Sequence, residues 1–540
     1  MIRMLAVLLL AGTAWAVTRH VPADYATIQS ALNAVQNGDT VLVALGTYAE
    51  ALQCPGRSFV LKGDAIPDTG DYPRPVIDPT SLTNPRGRTC LTLPTLTTPL
   101  SITVEDLSFH NGAAMYPHDP GSNGGISGGC PGVMLRRCIL DSTAGGYVAG
   151  WRSISMERCE FRTIQGACVY STESHFALHA TDCVFHGRAL FNIHVGDSST
   201  FLRCRFLGNR DGSLCMVTGR GIRIEDCIFG PSEANEQSFD PALWLGVTSG
   251  LVQNNVFEGL YLGHEVITLD CACDDTSVVT LRNNRVVNNI VNAQGTFGVY
   301  LVNDNGGNGR CRAVIEDNVF ENNFAPASGG FVGLYLREDC AVRGNRFRHL
   351  DRERNATVTL APVIAGESLD DYALHGNRFD STGYAVQIDR STDTLDARWN
   401  WWGDSTGPYH AAANPQGLGD TITGFVKFAP WCEDTVMCEE PSAITLRAAA
   451  PPSAFRLSAY PNPFNSTTVL QLEVPQAEIV RVELFDLLGR RVKELWAGLV
   501  ADQKEITVDG RALASGVYFV RATDTIWNRP LVSAKIVLLK

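Results

Sequence analysis

The sequence has little positive charge and few long apolar runs, and both shortages limit what the protein can do. Its 44 Lys and Arg residues are outnumbered by 57 Asp and Glu residues, which gives a net charge of −13. Binding to nucleic acid or to an anionic membrane surface needs a basic footprint, so we expect neither partner. After the first residues no apolar stretch is long enough to cross a bilayer, so we expect no transmembrane segment in the mature chain.

The first 16 residues have the pattern of a secretory signal peptide. Arg3 supplies a positive start, residues 5–11 form a short apolar run, and Ala14 and Ala16 make a small-x-small cleavage site. We therefore expect residues 1–16 to be removed, leaving a mature chain that begins at Val17 and is secreted or held at the cell surface.

Ten units in the middle of the chain share one short pattern. In each unit a Cys or Asn anchor is followed, two residues later, by Phe or another apolar residue. The anchors are Cys138, Cys159, Cys183, Cys204, Cys227, Asn255, Asn284, Asn318, Asn345 and Asn377. A repeat of roughly 20 to 35 residues indicates a solenoid in which each repeat forms one coil.

We interpret these anchors as a structural ladder rather than as catalytic or metal-binding residues. Asn tolerates the left-handed backbone needed where a coil bends, and stacked amides can hydrogen-bond along the axis. Cys fills a small apolar slot in the same column. Because equivalent positions on neighbouring coils stand about 4.8 Å apart with parallel side chains, we expect free thiols there rather than disulfides.

Period-2 alternation predicts two strands in each unit, as in residues 222–229 and residues 243–245. Before the repeats, Asp24 can cap a short amphipathic helix that closes the first coil. After them, residues 433–454 have the composition of a linker, and residues 455–540 contain short alternating runs separated by turns. The fold class predicted is all-β: a solenoid with a capping helix, followed by a small β-sandwich.

Three stretches resemble secreted right-handed parallel β-helices of the pectin lyase-like type. They are residues 21–50, residues 100–112, and a closing segment from Asn400-Trp401-Trp402-Gly403 to Pro430-Trp431. The resemblance implies that residues 17–432 form such a helix of about 10 or 11 coils. It does not imply an activity, because one fold hosts many functions.

The C-terminal segment resembles the sorting domain of the type IX secretion system, which is an immunoglobulin-like β-sandwich. The matching pieces are residues 460–464, residues 484–490, residues 515–519 and residues 535–537. The resemblance implies recognition by outer-membrane secretion machinery, followed by release or attachment at the cell surface.

Enzymes with a β-helix of this type carry catalytic boxes that are not found in the sequence, so no catalytic residue is assigned. Trp244, Tyr300 and Tyr335 occupy comparable places in second strands. If they point outward they form a stripe on which sugar rings stack, and if they point inward they belong to the core.

Three functions follow from these observations. The first is non-enzymatic binding or adhesion to an extracellular polysaccharide. The second is a polysaccharide lyase or glycoside hydrolase that acts on polyuronate-type glycans. The third is a purely structural surface protein.

Two groups of residues were weighed as metal sites, and neither is favoured. Asp270, Asp274 and Asp275, with Arg282 and Arg285 on the next strand, would suit calcium beside a polyuronate, but an exposed turn explains them as well. Four histidines lack the spacing of a zinc site. These are His175, His179, His186 and His194. We therefore expect no cofactor and no resident metal, with calcium as a weak alternative.

Cysteines outside the ladder are candidates for disulfides in an exported protein. The pairs considered are Cys432 with Cys438, Cys54 with Cys90, and a set drawn from Cys271, Cys273, Cys311 and Cys340.

Overall fold

The chain folds into two compact units, residues 1–440 and residues 441–540, and the division falls inside the predicted linker. The computed structural model describes residues 16–65, 72–82, 89–94, 100–112, 125–128, 132–142, 147–149, 153–164, 168–170, 176–187, 193–207, 214–232, 241–247, 249–270, 278–291, 299–302, 312–324, 333–336, 340–348, 356–360, 369, 372–388, 393–434, 455–474, 478–487, 489–500, 503–511, 513–524 and 530–540. The predicted signal peptide lies almost wholly outside the described residues, and so does most of the predicted linker.

The first unit is a right-handed parallel β-helix in which successive coils add strands to three long parallel sheets. Sheet 1 contains Thr18–Val21, Thr40–Val43, Phe59–Gly63, Ile102–Glu105, Val133–Arg136, Ile154–Glu157, Leu178–Thr181, Thr200–Leu202, Ile222–Glu225, Gly250–Gln253, Val278–Arg282, Arg312–Glu316, Cys340–Arg343, Ala373–His375, Leu395–Asp396 and Val426–Lys427. Sheet 2 contains Thr47–Tyr48, Val76–Ile77, Ser108–His110, Ile139–Asp141, Glu160–Ile164, Val184–Gly187, Arg205–Leu207, Ile228–Phe229, Val256–Glu258, Arg285–Val287, Val319–Glu321, Arg346–Arg348 and Arg378–Asp380.

Sheet 3 follows sheet 2 along each coil and completes the triangular cross-section. It contains Leu52–Gln53, Leu91–Thr92, Ile126–Gly128, Tyr147–Ala149, Val169–Tyr170, Ile193–Val195, Cys215–Gly219, Leu243–Val247, Ile267–Asp270, Val299–Val302, Leu334–Leu336, Ala356–Leu360, Tyr384–Ile388, Gly419–Thr423 and Pro408–Tyr409. Tyr261–Leu262 and Ile290–Val291 form a further two-stranded parallel pair. The described part of sheet 2 has 13 strands, one for each complete coil, whereas the sequence has ten anchors. The difference arises because the first coils have neither Cys nor Asn at the anchor position.

The core of the β-helix is made by the inward half of each alternating strand. Ile222 and Ile224 of sheet 1 and Leu243 and Leu245 of sheet 3 are buried, while the residues between them are half-exposed. Inside sheet 2, the aromatic residues two places after the anchors stack from coil to coil. Phe206 and Phe229 are 4.5 Å apart at their ring centroids and nearly parallel. This stacking explains why the same residue type recurs at the same place in each repeat.

The corner between sheets 1 and 2 turns on the residue before each anchor, not on the anchor itself. At eight of the ten repeats that preceding residue is non-glycine with φ between 52° and 58°, as in Asp226 (φ 55) and Asn254 (φ 58). At the other two it is Gly344 or Gly376. The expectation that the anchor Asn supplies the left-handed backbone was therefore wrong, and the Asp, Asn and Gly residues just before the anchors supply much of it.

The ten anchors form one column in which each side chain contacts the next coil. Asn318 Nδ2 donates to Asn345 Oδ1 at 3.0 Å and to the carbonyl of Leu281 at 2.9 Å. Its Oδ1 accepts from the backbone N–H of Asn284 at 2.8 Å. In the thiol half of the column, the N–H of Cys204 donates to Cys227 Sγ at 3.3 Å.

The column also continues beyond the ten anchors. Leu107 precedes it at the same corner, after Asp106 (φ 58), and Asn400 follows it and accepts from the N–H of Asn377 at 2.7 Å. The five ladder cysteines are free thiols, and burial raises the pKa of Cys138, Cys159, Cys183 and Cys204 well above the usual value. These buried thiols are therefore unreactive, structural groups.

Two caps close the β-helix. The helix Ile28–Ala34 is capped by Thr27, and Glu50 accepts from the N–H groups of Ile28 and Gln29 at 2.9 Å. Asp24, the cap expected from the sequence, instead accepts from His20. At the other end the Trp402 indole stacks on Phe379 with 5.0 Å between ring centroids, which covers the last aromatic rung.

Cys432 beside the closing segment is disulfide-bonded, and Cys438, its expected partner, lies outside the described residues. Cys90 is a free thiol that donates to the carbonyl of His110 at 3.4 Å, so the Cys54–Cys90 pair is not formed. Cys271, Cys273 and Cys311 also lie outside the described residues.

The second unit is a β-sandwich of two antiparallel sheets around one core. One sheet contains Arg456–Tyr460, Thr467–Glu473 and Gln503–Asp509. The other contains Arg491–Val500, Glu478–Phe485, Gly516–Asp524 and Pro530–Leu538. Leu470 and Leu472 of the first sheet pack in the same buried cluster as Val482 and Val520 of the second.

Candidate functional site

The outer face of sheet 3 has one column of residue positions, in register from coil to coil, that runs along the axis of the β-helix. We call it the outer column, and strand register alone defines its members. They are Gln53, Thr92, Ser127, Val148, Tyr170, His194, Met216, Trp244, Thr268, Tyr300, Tyr335, Thr359, Gln387 and Thr423. Neighbouring members lie on successive coils, about 4.8 Å apart.

All three aromatic residues predicted as a stripe are members of the outer column. Trp244 pairs with Thr268, Thr268 with Tyr300, and Tyr300 with Tyr335. The side chains of Trp244 and Tyr335 are half-exposed, and each lies between two buried leucines of its own strand. Both therefore face outward, about 14 Å apart along the axis. The structure describes the backbone of Tyr300 and not its side chain.

The indole of Trp244 lies along its own strand, over Gly246. A Cβ placed on Gly246 would stand 2.8 Å from the Trp244 Cη2 atom and 2.9 Å from Cζ3. The same Cβ would stand 3.4 Å from Cγ2 of Thr218 on the preceding coil. Any larger residue at position 246 would displace the ring, so the missing side chain is what leaves room for the indole over this strand.

The outer column is interrupted at Thr359. Thr357 and Thr359 are fully buried, although strand alternation places them opposite to the inward-facing Val358 and Leu360. Their hydroxyl oxygens have no hydrogen-bond partner within the described structure. The outer face is therefore covered at this coil, and the exposed aromatic part of the column ends at Tyr335.

A buried carboxyl group lies at the entrance to the strand that follows Trp244. Glu265 is 7 % exposed and accepts from Thr268 Oγ1 at 3.2 Å, and His264 Nδ1 stands 3.8 Å from the same carboxylate oxygen. Burial raises the pKa of Glu265, against the opposing effects of His264 and Thr268. This carboxyl group was not singled out in the sequence, because nothing there indicates that it is buried.

The acid cluster proposed for calcium is not assembled in the described part of the chain. Asp270 ends its strand in sheet 3, and Asp274 and Asp275 lie outside the described residues. Arg282 belongs to sheet 1, where it donates to Gln253 at 2.8 Å, and Arg285 belongs to sheet 2. The two arginines therefore lie on different faces of the β-helix.

The clustered histidines are likewise separated by the three-sided coil. His179 lies in sheet 1, His186 in sheet 2 and His194 in sheet 3, while His175 is outside the described residues. Among the residues that the structure describes, no group of His, Cys, Asp and Glu is arranged to hold a metal ion. Burial lowers the pKa of His194, so its ring is uncharged at neutral pH.

A second asparagine ladder went unnoticed in the sequence. Asn289 and Asn323 are buried just past sheet 2, and Asn289 Nδ2 donates to Asn323 Oδ1 at 3.1 Å. Each lies five residues after an anchor, Asn284 or Asn318, and this repeated spacing is the signal that would have revealed it.

Comparisons with known proteins bear on the two units separately. Residues 458–537 match the family model described as the secretion system C-terminal sorting domain. No curated protein matches the sequence. Among the described residues no helix is long and apolar enough to cross a membrane.

Solved structures that resemble the chain include three carbohydrate-related proteins with low identity. The A-module of a mannuronan C-5 epimerase from Azotobacter vinelandii is 12 % identical with a TM-score of 0.38, over 74 % of this chain and 94 % of that one. The tailspike protein of Escherichia coli bacteriophage HK620, in complex with a pentasaccharide, is 11 % identical with a TM-score of 0.32, over 89 % and 88 %. A PL6 family alginate lyase is 11 % identical with a TM-score of 0.26, over 71 % and 76 %.

These likenesses are weak, and no activity is inferred from them. The match to the sorting domain is of another kind, because it identifies the part of the chain that type IX secretion machinery recognises. The chain is therefore a secreted or cell-surface protein that consists of a parallel β-helix followed by a type IX sorting domain.

Proposed function

We propose that the β-helix binds extracellular polysaccharide on the outer face of sheet 3, without chemical conversion, and that the protein acts in adhesion or glycan capture at the cell surface. The observation that carries this proposal is the Trp244 indole, which lies over Gly246 in an outward, half-exposed position. An aromatic face presented in this way suits the apolar C–H face of a sugar ring.

The outer column extends this platform along the axis. Met216 on the coil before Trp244 is half-exposed, and Tyr335 lies three coils after it. A polysaccharide chain laid along the axis would therefore meet apolar or aromatic surface at Met216, at Trp244 on the next coil, and again at Tyr335. Several weak contacts of this kind increase the affinity for a polymer, because binding at one site raises the effective concentration of the polymer at the next site.

Retention on immobilised polysaccharides tests the proposal. The mature protein, Trp244→Ala and Trp244→Phe would be passed over a panel of insoluble glycans, with Phe425→Ala as the matched control. Phe425 is 60 % exposed and lies outside the outer column, so its loss removes an exposed aromatic ring without touching the platform. We expect Trp244→Ala to lose retention, and Trp244→Phe and Phe425→Ala to keep most of it. Absence of retention on every glycan would end the proposal.

Glu265 gives the enzymatic alternative its one specific observation. A carboxyl group with a raised pKa near a sugar platform has the property of a general acid. A glycosidase also needs a second carboxylate within about 5 to 10 Å of the first. Asp270 is the other acid of this strand region, and it lies at the opposite end of the strand.

Product analysis separates this alternative from binding alone. The mature protein and Glu265→Gln would be incubated with polyuronates and with neutral polysaccharides, with and without calcium, and new reducing ends and unsaturated ends would be measured. Product released by the unmodified chain and lost in Glu265→Gln would establish an enzyme. No product from any glycan that is retained would leave binding as the function.

A further inference from the structure

Building on the proposed function, we infer that the ligand of the sheet 3 face is an uncharged polysaccharide rather than a polyuronate or another anionic polymer. The first reason is composition. In the strands that the structure describes, sheet 3 contains neither Lys nor Arg, although the chain has 44 such residues. A polyuronate carries one carboxylate per sugar, and the described strands of this sheet offer no cation to neutralise it.

The second reason is the sign of the charges that are present. The charged residues of the described sheet 3 strands are Asp270 and Asp420, and both are acids. Asp420 is held by Thr382 Oγ1 at 2.7 Å and by the N–H of Gly383 at 3.0 Å, so it serves the local fold. Asp270 would repel a polyuronate at the coil next to the Trp244 platform.

The third reason is the polar chemistry that the outer column offers. Its polar members bear hydroxyl, amide or imidazole groups, and the imidazole of His194 is neutral because burial lowers its pKa. Gln387 is half-exposed and Thr423 is exposed. Such groups match the hydroxyls of a neutral sugar.

The other two faces show that this absence is particular to sheet 3. Described strands of sheet 1 contain Lys62, Arg136 and Arg343, and those of sheet 2 contain Arg205 and Arg285. Cations therefore occur on the described strands of sheets 1 and 2 and are missing only from those of sheet 3.

A pair of polymers with the same backbone tests the charge of the ligand. Polygalacturonate and its carboxyl-reduced form, which has lost the charge, would be titrated against the mature protein, together with Trp244→Ala and Asp270→Lys. We expect the carboxyl-reduced polymer to bind at least tenfold more tightly than the acidic one. Trp244→Ala should weaken binding of the carboxyl-reduced polymer roughly tenfold. Asp270→Lys should gain affinity for the acidic polymer and so reduce the difference in affinity between the two polymers.

Each outcome bears on a different part of the account. Equal or tighter binding of the acidic polymer, still dependent on Trp244, would overturn the uncharged ligand and leave the proposed binding function standing. Failure of both polymers and of a wider panel of neutral glycans would overturn the proposed function itself, and the present inference with it.

A separate observation concerns Val17, the residue after the predicted cleavage site. The N–H of Val17 donates to Asp39 Oδ1 at 2.9 Å, and its carbonyl accepts from the N–H of Thr40 at 2.9 Å. Asp39 is 1 % exposed and also pairs with Arg19 at 2.7 Å. Burial alone would raise the pKa of Asp39, but hydrogen bonds from Gln36, Val17 and Arg19 outweigh it and lower that pKa.

We propose that cleavage before Val17 creates an ammonium group that is held by the buried carboxylate of Asp39. The predicted cleavage after Ala16 frees the Val17 nitrogen, which already bonds to Asp39, so processing would add a charge where an acceptor is in place. The new ion pair would then fix the first strand, Thr18–Val21, to the edge of sheet 1.

Mass spectrometry of the exported protein and a double-mutant cycle test this site. The mature start would be located first, and thermal unfolding would then be compared for chains that begin at Val17 or carry one added alanine, each with and without Asp39→Asn. We expect a start at Val17, and a lower Tm from the added alanine only when Asp39 is present. A different mature start, or the same loss of Tm with and without Asp39→Asn, would overturn the proposal.

Discussion

Sheets 1 and 3 belong to the same coils, yet their outer faces differ in chemistry. Sheet 1 carries a chain of ion pairs that crosses from coil to coil. Glu105 lies 3.1 Å from Lys62 and 3.6 Å from Arg136, and Arg136 lies 2.9 Å from Glu157. The outer column of sheet 3 has no Asp, Glu, Lys or Arg, and its members are aromatic, apolar or bear hydroxyl, amide or imidazole groups.

The pairing on sheet 1 resumes further along the axis. Gln253 accepts from Arg282 at 2.8 Å and donates to Glu225 at 2.7 Å. Glu316 then lies 3.9 Å from Arg282 and 2.7 Å from Arg343. Every charge named here has its partner on a neighbouring coil, so this face has little to offer a charged ligand.

The comparison teaches how a solenoid separates structure from function. Stacking places one column of side chains on each face at a spacing of about 4.8 Å, and that spacing suits ion pairs as well as a polymer ligand. On sheet 1 the charged side chains pair with each other and so stabilise the coils. On sheet 3 the outer column has no acidic or basic side chains to form such pairs, and this face is available to bind a ligand.

The largest effect is expected from the ladder that supports both faces. Asn318→Ala removes the hydrogen bonds to Leu281, Asn284 and Asn345 and leaves buried polar groups without partners. We expect a loss of about 3 kcal/mol in the free energy of unfolding, measured by urea denaturation. Asn33→Ala, at an exposed helical site, is the control and should cost little. Equal stability of the two variants would contradict the structural role of the ladder.

The next effect concerns sheet 1 alone. Glu316→Lys places a third cation between Arg282 and Arg343, and we expect it to lower the free energy of unfolding by about 1–2 kcal/mol with unchanged glycan binding. Glu433→Lys makes the same change of net charge at an exposed site and should have no effect. Adding Arg343→Glu to Glu316→Lys should restore part of the lost stability. Weaker glycan binding by Glu316→Lys would contradict the prediction that sheet 1 stabilises the coils without contributing to binding.

The reverse pattern is expected on sheet 3. Trp244→Ala should weaken polysaccharide binding roughly tenfold, because one aromatic contact is worth about 1.4 kcal/mol. The thermal midpoint should stay close to that of the unmodified chain, since the indole lies on the surface. Isothermal titration and thermal unfolding of one preparation measure both quantities, and a large fall in the midpoint would show that Trp244 is a structural residue instead.

A smaller effect is expected from acid at the far end of sheet 1. The hydrogen bond from Arg398, opposed by burial and aided by His375, lowers the pKa of Asp396 to about 2. A lowered pKa contributes stability above the unfolded value of about 3.9 and loses it as the pH falls towards 2. The thermal midpoint of Asp396→Asn should therefore change less with pH over this window than that of the unmodified chain, and parallel curves would contradict the assignment.

The sequence predicts the architecture well because stacking forces equivalent residues to resemble each other. The anchors and the Phe residues after them recur because each fills the same slot one coil further on, as Phe229 and Phe257 do. The left-handed corner was assigned to the wrong residue, since the conformational preference of Asn fits both the anchor and the position before it. The residues just before the anchors, such as Asp226 and Gly344, are the better signal for the left-handed corner.

The site was only partly readable from the sequence. Strand alternation does not show whether Trp244 faces the core or the solvent. Only the burial of Leu243 and Leu245 shows that the indole faces outward. The ion pairs of sheet 1 join residues separated by 21 to 43 positions, as Lys62 and Glu105 are. These pairs cannot be predicted from the sequence, because the loops between strands differ in length. Backbone pairing between coils, and not a fixed spacing in the sequence, decides which residues lie side by side.

A crystal structure of the mature protein with a neutral oligosaccharide chosen from the retained glycans tests the central claim most directly. The account predicts a sugar ring stacked on the Trp244 indole and a glycan chain that follows the outer column over Thr268 towards Tyr335. A glycan bound to the outer face of sheet 1 or sheet 2, with nothing on sheet 3, would contradict it.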